Sequence, residues 1–99
     1  MKVIDFRTSK FVMIPRSLVE DTSLLMRDKA VYTALCLYAN NDTKQAYPSA
    51  DTIASIVGCS RNSVFRAVVA LEQAGYVRRE QRKNGFGRQT TNIYYLLDK

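Results

Sequence analysis

Two helices in immediate succession are predicted by residues 48–75, PSADTIASIVGCSRNSVFRAVVALEQAG. Ser49 and Ser60 are suited to cap them, because each hydroxyl precedes a run of apolar residues with helical spacing. Gly58 and Gly75 stand where the two helices must end, since glycine readily adopts the left-handed conformation of the residue after a helix. The pattern therefore predicts two short helices joined by a tight turn.

The apolar residues of both helices fall on one side, and we expect that side to be buried. In the second helix these residues are Val64, Ala67, Val68 and Leu71. In the first, which we place at Ala50–Val57, they are Ile53, Ala54 and Val57. A tight glycine turn between two such helices, over 49–75, is a helix-turn-helix pattern.

The opposite side of the second helix begins with side chains suited to the edges of DNA bases. Arginine can fork onto guanine and asparagine onto adenine, from the first turns of a helix that lies in the major groove. We predict contacts to double-stranded DNA from eight residues of the helix-turn-helix. They are Ser49, Thr52, Ser60, Arg61, Asn62, Ser63, Phe65 and Arg66.

After Gly75 the spacing changes from helical to extended, which predicts strands at 76–82 and 90–97. Asn84-Gly85 lies between them and is typical of a hairpin turn. We expect this hairpin, 76–97, to be a wing that contacts phosphates or the minor groove. Its predicted DNA-binding residues are Arg78, Arg82, Lys83, Asn84, Gly85 and Arg88. Phe86, between two glycines, either packs on the hairpin or wedges between base steps.

Charge supports a polyanionic partner. From Arg61 to Arg88 there are seven basic and two acidic residues, so this segment carries +5 of the chain's net charge of +6. Such a concentrated basic field favours nucleic acid over a membrane surface. No apolar run approaches the roughly 20 residues of a membrane helix, and the N-terminus lacks the apolar core of a secretory signal.

Composition argues against an enzyme. The 99 residues contain no histidine, which removes the imidazole base and the commonest zinc ligand. The aspartates are scattered, so no metal site or cofactor is predicted. Two cysteines form no disulfide framework and fit a reducing cytoplasm. We expect Cys36 to be a small core residue; for Cys59, in the turn, a structural role is favoured over a redox sensor.

The part before residue 48 is predicted to hold one short strand and one long helix. Phe11–Ile14 is an apolar run stopped by Pro15 and has the character of a strand, and residues 17–20 could form one helical turn. From about Leu24 to Ala39 the spacing is helical, with Val31, Leu35 and Tyr38 on one inner stripe and Ala34 and Ala39 beside it.

Further motifs flank the helix pair: Phe11 to Pro15, Ala30-Val31-Tyr32 with Leu35 and Tyr38-Ala39-Asn40, Tyr47-Pro48-Ser49, Leu71-Glu72 with Gly75-Tyr76-Val77, and Asn92-x-Tyr94-x-Leu96. With the helix pair they resemble a winged helix-turn-helix domain, of the type found at the N-terminus of plasmid and phage replication initiators and of DnaD-like primosome proteins. The resemblance covers nearly the whole chain and implies one α+β, mainly α domain over 1–99. It would hold a short N-terminal strand, three helices and a C-terminal β-hairpin, with 1–10 as an N-terminal arm.

The resemblance also implies a role. The initiators and primosome proteins carry a further domain, whereas this sequence ends at Lys99. We therefore expect an accessory or regulatory DNA-binding protein that serves replication, conjugative transfer or transcription, with a larger replication or transfer complex as a further partner.

Two alternatives stay open from the sequence. Some winged helices are protein-interaction modules, so an acidic protein partner is the competing hypothesis to DNA. A homodimer is plausible because helix-turn-helix proteins commonly have two-fold symmetry. The segment Val3–Ile14, which is apolar at Val3, Ile4, Phe6 and Phe11, is the candidate for pairing two chains.

Overall fold

The computed structural model describes residues 1–7, 12–38, 45–46, 48–81 and 93–97. The elements follow in the order α1 (Arg16–Glu20), α2 (Met26–Cys36), β1 (Gln45–Ala46), α3 (Ala50–Val57), α4 (Arg61–Ala74), β2 (Val77–Glu80) and β3 (Ile93–Leu96). This mainly helical α+β arrangement, with β2 and β3 following α4, confirms the predicted winged helix-turn-helix fold.

The α3–α4 pair begins and ends where the sequence predicts. The Ser49 hydroxyl accepts the backbone N–H of Thr52 at 3.2 Å, and the Ser60 hydroxyl accepts that of Ser63 at 3.1 Å. Gly58 ends α3 with φ +80°, and its N–H donates to the Ala54 carbonyl at 2.8 Å. Each helix thus has one of its unpaired amides satisfied by a side chain, and a left-handed residue lets the chain turn into α4.

The core lies where α2, α3 and α4 meet. The four residues predicted to form the inner face of α4, Val64, Ala67, Val68 and Leu71, are fully buried. They share one hydrophobic cluster with Ile53 of α3 and with Val31 and Leu35 of α2. Cys36 and Cys59 are half-buried against this cluster, in keeping with the structural role expected of both.

The sheet covers one side of the core. Its strand order is β1-β3-β2, and both pairings are antiparallel. Val77 lies opposite Leu96 and Arg78 opposite Tyr95, so these two pairs point to opposite faces of the sheet. Tyr94 is buried and Tyr95 is half-buried, as neighbouring residues on opposite faces of a strand can be.

The N-terminal region differs from the prediction. Val12–Ile14 form no strand, and Phe11 lies outside the described residues. The Met13 carbonyl instead accepts the Cys36 thiol at 3.6 Å, so Met13 lies at the C-terminal end of α2. The strand that joins the β2–β3 pair in the sheet is β1, which was not predicted. The helical turn predicted after Pro15 forms α1, in addition to the three predicted helices.

Helix α2 is shorter than the predicted range Leu24–Ala39. It begins at Met26 because the buried Asp28 carboxylate accepts the N–H of Leu25 at 2.9 Å and so caps the helix. At its other end Tyr38 N–H donates to the Leu35 carbonyl at 3.1 Å, a bond between residues three apart. Such a tighter turn rotates later residues off the stripe. Tyr38, predicted to be buried, is accordingly 42% exposed.

Replacing Gly58 with alanine should lower the free energy of unfolding by about 1–2 kcal/mol, because an L-residue is disfavoured at positive φ. The cost is conformational, since an added Cβ would meet nothing within 4 Å. Gly58→Asn should lose less, as asparagine tolerates this conformation better. Urea unfolding followed by circular dichroism measures both variants. An alanine variant as stable as the parent would contradict this account of the turn.

Candidate nucleic-acid interface

The N-terminal half of α4 presents together five of the eight side chains that the helix-turn-helix was predicted to direct at DNA. Arg61, Asn62 and Arg66 are exposed, while Ser63 and Phe65 are half-buried at the edge of the same surface. They lie together because the opposite side of α4 is fully buried against α2 and α3. The sequence prediction of an outward polar face on this helix is therefore confirmed.

Arg61 bridges the two helices of the motif. Its guanidinium carbon lies 5.5 Å from the centroid of the Phe65 ring, and its Nε lies 4.0 Å from an Asp51 carboxylate oxygen in α3. The pair is exposed, at 63% for Arg61 and 75% for Asp51, and such pairs contribute about 0–1 kcal/mol. A phosphate or a base can therefore compete for Arg61. Asp51 was not among the predicted site residues, although its place in the first turn of α3 puts it next to the start of α4.

The four residues with hydroxyl groups that were predicted to contact DNA all form hydrogen bonds at the N-termini of α3 and α4. The Ser49 and Thr52 hydroxyls lie 2.9 Å apart, and the Ser60 hydroxyl donates to that of Ser63 at 3.0 Å. Both serine hydroxyls also accept a backbone N–H, so they cap the N-termini of α3 and α4. Any contact that they make to DNA would share these bonds.

The two arginines of β2 are paired with protein groups. The Arg78 guanidinium carbon lies 4.1 Å from the Tyr95 ring centroid, and its Nη1 lies 3.9 Å from the Glu80 carboxylate. The Tyr95 hydroxyl donates to that carboxylate at 3.1 Å and closes the cluster. Arg79 Nη2 lies 3.4 Å from the Oε1 atom of Glu72 in α4.

The contact between Arg79 and Glu72 places β2, which we call the root of the hairpin, beside the C-terminal part of α4. Glu72 follows Arg61 by eleven residues, which corresponds to about 16 Å along the helix axis. The structure therefore does not bring Arg78 together with the exposed N-terminal residues of α4. The remaining wing residues lie outside the described part of the chain, namely Arg82, Lys83, Asn84, Gly85, Phe86 and Arg88.

The N-terminal segment 1–7 is exposed, including its apolar side chains Val3, Ile4 and Phe6. Its charged pair is mutually satisfied, because Arg7 Nη2 donates to Asp5 Oδ2 at 2.6 Å. The hydrogen bonds from Arg7 lower the pKa of the Asp5 carboxyl from its ordinary value. The segment therefore offers a partner the apolar side chains of Val3, Ile4 and Phe6 beside the exposed charge of Lys2. Pairing of two chains through it stays a prediction.

Two other kinds of site are absent from the described residues. Across 1–7, 12–38, 45–46, 48–81 and 93–97, no group of three or more His, Cys, Asp or Glu side chains could hold a metal ion. None of the helices formed by these residues has the length and apolar character needed to cross a membrane.

Helices α3 and α4, joined at Gly58 and followed by a β-hairpin, define a winged helix-turn-helix protein. A family model described as a helix-turn-helix domain matches residues 22–77, which is more than half of the chain. The chain therefore belongs to this helix-turn-helix domain family. No curated protein matches it.

Three solved structures share the fold. A possible transcriptional regulator from Methanosarcina mazei Go1 is 18% identical with a TM-score of 0.58, over 78% of this chain and 59% of the regulator. The N-terminal domain of a DNA binding protein is 20% identical with a TM-score of 0.64, over 89% and 74% of the two chains. A protein solved as a Rep–DNA complex is 18% identical with a TM-score of 0.64, over 91% and 77%. This chain thus spans 59% of the length of the regulator.

Replacing Ser60 with alanine should lower the free energy of unfolding by about 1 kcal/mol, because the cap of α4 is lost. Ser60→Gly is the matched control, since glycine at an N-cap costs only a few tenths of a kcal/mol and also removes the hydroxyl. Thermal or urea unfolding measures the difference. Equal stability of the alanine and parent proteins would show that the Ser60 bond does not hold the helix start.

Proposed function

We propose that the protein binds double-stranded DNA in a sequence-specific manner, with α4 as the helix that enters the major groove. The observation that carries this proposal is the exposure of Arg61, Asn62 and Arg66 on the first two turns of a helix whose other side is fully buried. These side chains have the donors that guanine and adenine edges accept, on a rigid element that can approach them.

The electrostatics of the start of α4 suit a polyanion. The first turn contains no acidic residue, and the positive end of the helix dipole lies there. Asp51 is the nearby carboxylate, and it lies beside Arg61, so it reduces the field without reversing it. A phosphate at this position would gain both the dipole and the guanidinium.

The charges of the hairpin also support a wing that binds DNA. Both acidic residues of the segment between Arg61 and Arg88, Glu72 and Glu80, pair with the arginines at the root of the hairpin. The rest of that segment's excess positive charge therefore belongs to α4 and to residues 82–88. We propose that Arg82, Lys83 and Arg88 bind phosphates or the adjacent minor groove, and that Arg78 contributes less.

The biological setting is proposed from the neighbours in fold. They include a possible transcriptional regulator and a protein solved with DNA as a Rep–DNA complex. We propose a cytoplasmic, non-enzymatic accessory or regulatory factor of a plasmid or phage that acts in replication, conjugative transfer or transcription. Its exposed N-terminal segment would pair two copies.

Asn62→Ala or Arg66→Ala should weaken binding to the preferred duplex by about 1–3 kcal/mol and binding to random duplex much less, because these residues would read bases. The preferred duplex is obtained first by selection from a random pool, and both affinities follow from fluorescence anisotropy. Arg16→Ala, which removes an exposed arginine from α1, is the matched control and should change neither affinity.

Equal losses on preferred and random duplexes would show that Asn62 and Arg66 do not read bases. A parent protein that selects no sequence would contradict the proposed specificity, and one that binds no duplex would favour the acidic protein partner. The symmetry of the selected site tests pairing as well, because an inverted repeat is expected for a symmetric dimer and a single site for a monomer.

Replacing Lys83 and Arg88 together with glutamine should weaken binding to every duplex. If each side chain contacts one phosphate, the slope of log K against log salt should flatten by roughly 1.8. The melting temperature should barely change, because the substitutions are at the tip of a predicted surface hairpin. The control is Lys2→Gln with Arg16→Gln, which removes the same charge from exposed positions outside α4 and the hairpin. An unchanged slope would remove the wing from the proposal.

A further inference from the structure

The exposed surface of α4 continues past the residues that were predicted to contact DNA. Asn62, Arg66, Val69 and Gln73 are all exposed. At 100° per residue these four positions fall within about 60° of one another around the helix axis. They therefore form a straight stripe along the whole of α4, which we call the α4 stripe.

Val69 is the apolar member of the α4 stripe, and much of its side chain is exposed. Its side chain is 42% exposed, whereas the neighbouring Ala70 is half-buried against the core. A β-branched residue is also a poorer helix former than alanine at an exposed position. Folding alone would therefore favour another residue here.

The surroundings of Val69 suit a base edge. Arg66 and Gln73 flank it on the stripe, and both side-chain types hydrogen-bond to purines in the major groove. Glu72, the acidic residue of α4, is turned toward Arg79, at 3.4 Å, and so does not leave a bare negative charge beside the stripe. An apolar group between two donors matches the one apolar group on the major-groove edge, the C5 methyl of thymine.

We propose that Val69 is a specificity-determining residue that contacts the C5 methyl of a thymine. The inference rests on the proposed function, since it requires α4 to lie in the major groove. Val69 follows Arg66 by about 4.5 Å along the helix axis, which is one to two base-pair steps for a helix that follows the groove. The selected sequence should therefore hold a thymine one or two positions from the base that Arg66 reads.

The test deletes the methyl from the DNA. Each thymine of the selected duplex is replaced singly by deoxyuridine, which lacks the methyl and keeps every hydrogen-bonding group. The parent protein should lose roughly three- to fivefold in affinity at one position, as expected when about one methyl group is no longer buried. Val69→Ala should bind the thymine duplex more weakly by a similar factor and show no further loss at that position.

The matched control is Val19→Ala, which makes the same substitution at an exposed helical valine of α1 and should keep the full deoxyuridine penalty. Val69→Thr, which keeps one methyl group, should retain part of the deoxyuridine penalty. Val69→Ala should melt at or above the parent temperature, because alanine is the better helix former.

A deoxyuridine penalty that is the same in Val69→Ala and in the parent would overturn the inference while leaving the proposed function intact. So would an equal loss for Val69→Ala on selected and random duplexes, which would indicate a structural role. If the parent selects no duplex at all, the proposed function fails and this inference fails with it.

Discussion

The burial of one face of α4 is the constraint on which the rest of the structure depends. Val64, Ala67, Val68 and Leu71 have no exposed surface, and burying one valine or leucine side chain contributes roughly 1.5–3 kcal/mol. Turning α4 about its own axis would expose these side chains and open a void against α2. The helix therefore has one permitted rotation, which decides that residues 62, 66, 69 and 73 face outward.

The parts of the fold that the sequence predicts well are those defined by local chemistry. The bounds of α3 and α4 follow from Ser49, Ser60, Gly58 and Gly75, which act on backbone groups within a few residues of themselves. Strand β1 is different, because two residues have no periodicity and β1 exists through its pairing with β3. The predicted strand near Val12 failed for the same reason, since an apolar run becomes a strand where a partner strand is available.

The sequence predicted which side chains of α4 face outward, but it did not predict which protein groups those side chains and the other arginines contact. The outward placement of Arg61, Asn62 and Arg66 follows from the period of the buried stripe. The pairing of Arg61 with Asp51, and of Arg78 with Tyr95 and Glu80, depends on tertiary contacts that spacing does not show. A count of charges therefore identified the basic segment correctly but did not separate the arginines held by protein groups from those available to a partner.

The two faces of α4 divide stability from recognition. The inner face is fully buried, so substitutions there lower the stability of the fold by leaving cavities or causing strain. Val69 on the α4 stripe is 42% exposed, and substitutions at exposed positions usually change stability by less than about 0.5 kcal/mol. A residue on that stripe can thus be exchanged with little effect on folding. If α4 enters the major groove as proposed, the chain can change the sequence that it recognises without rebuilding the fold that presents the helix.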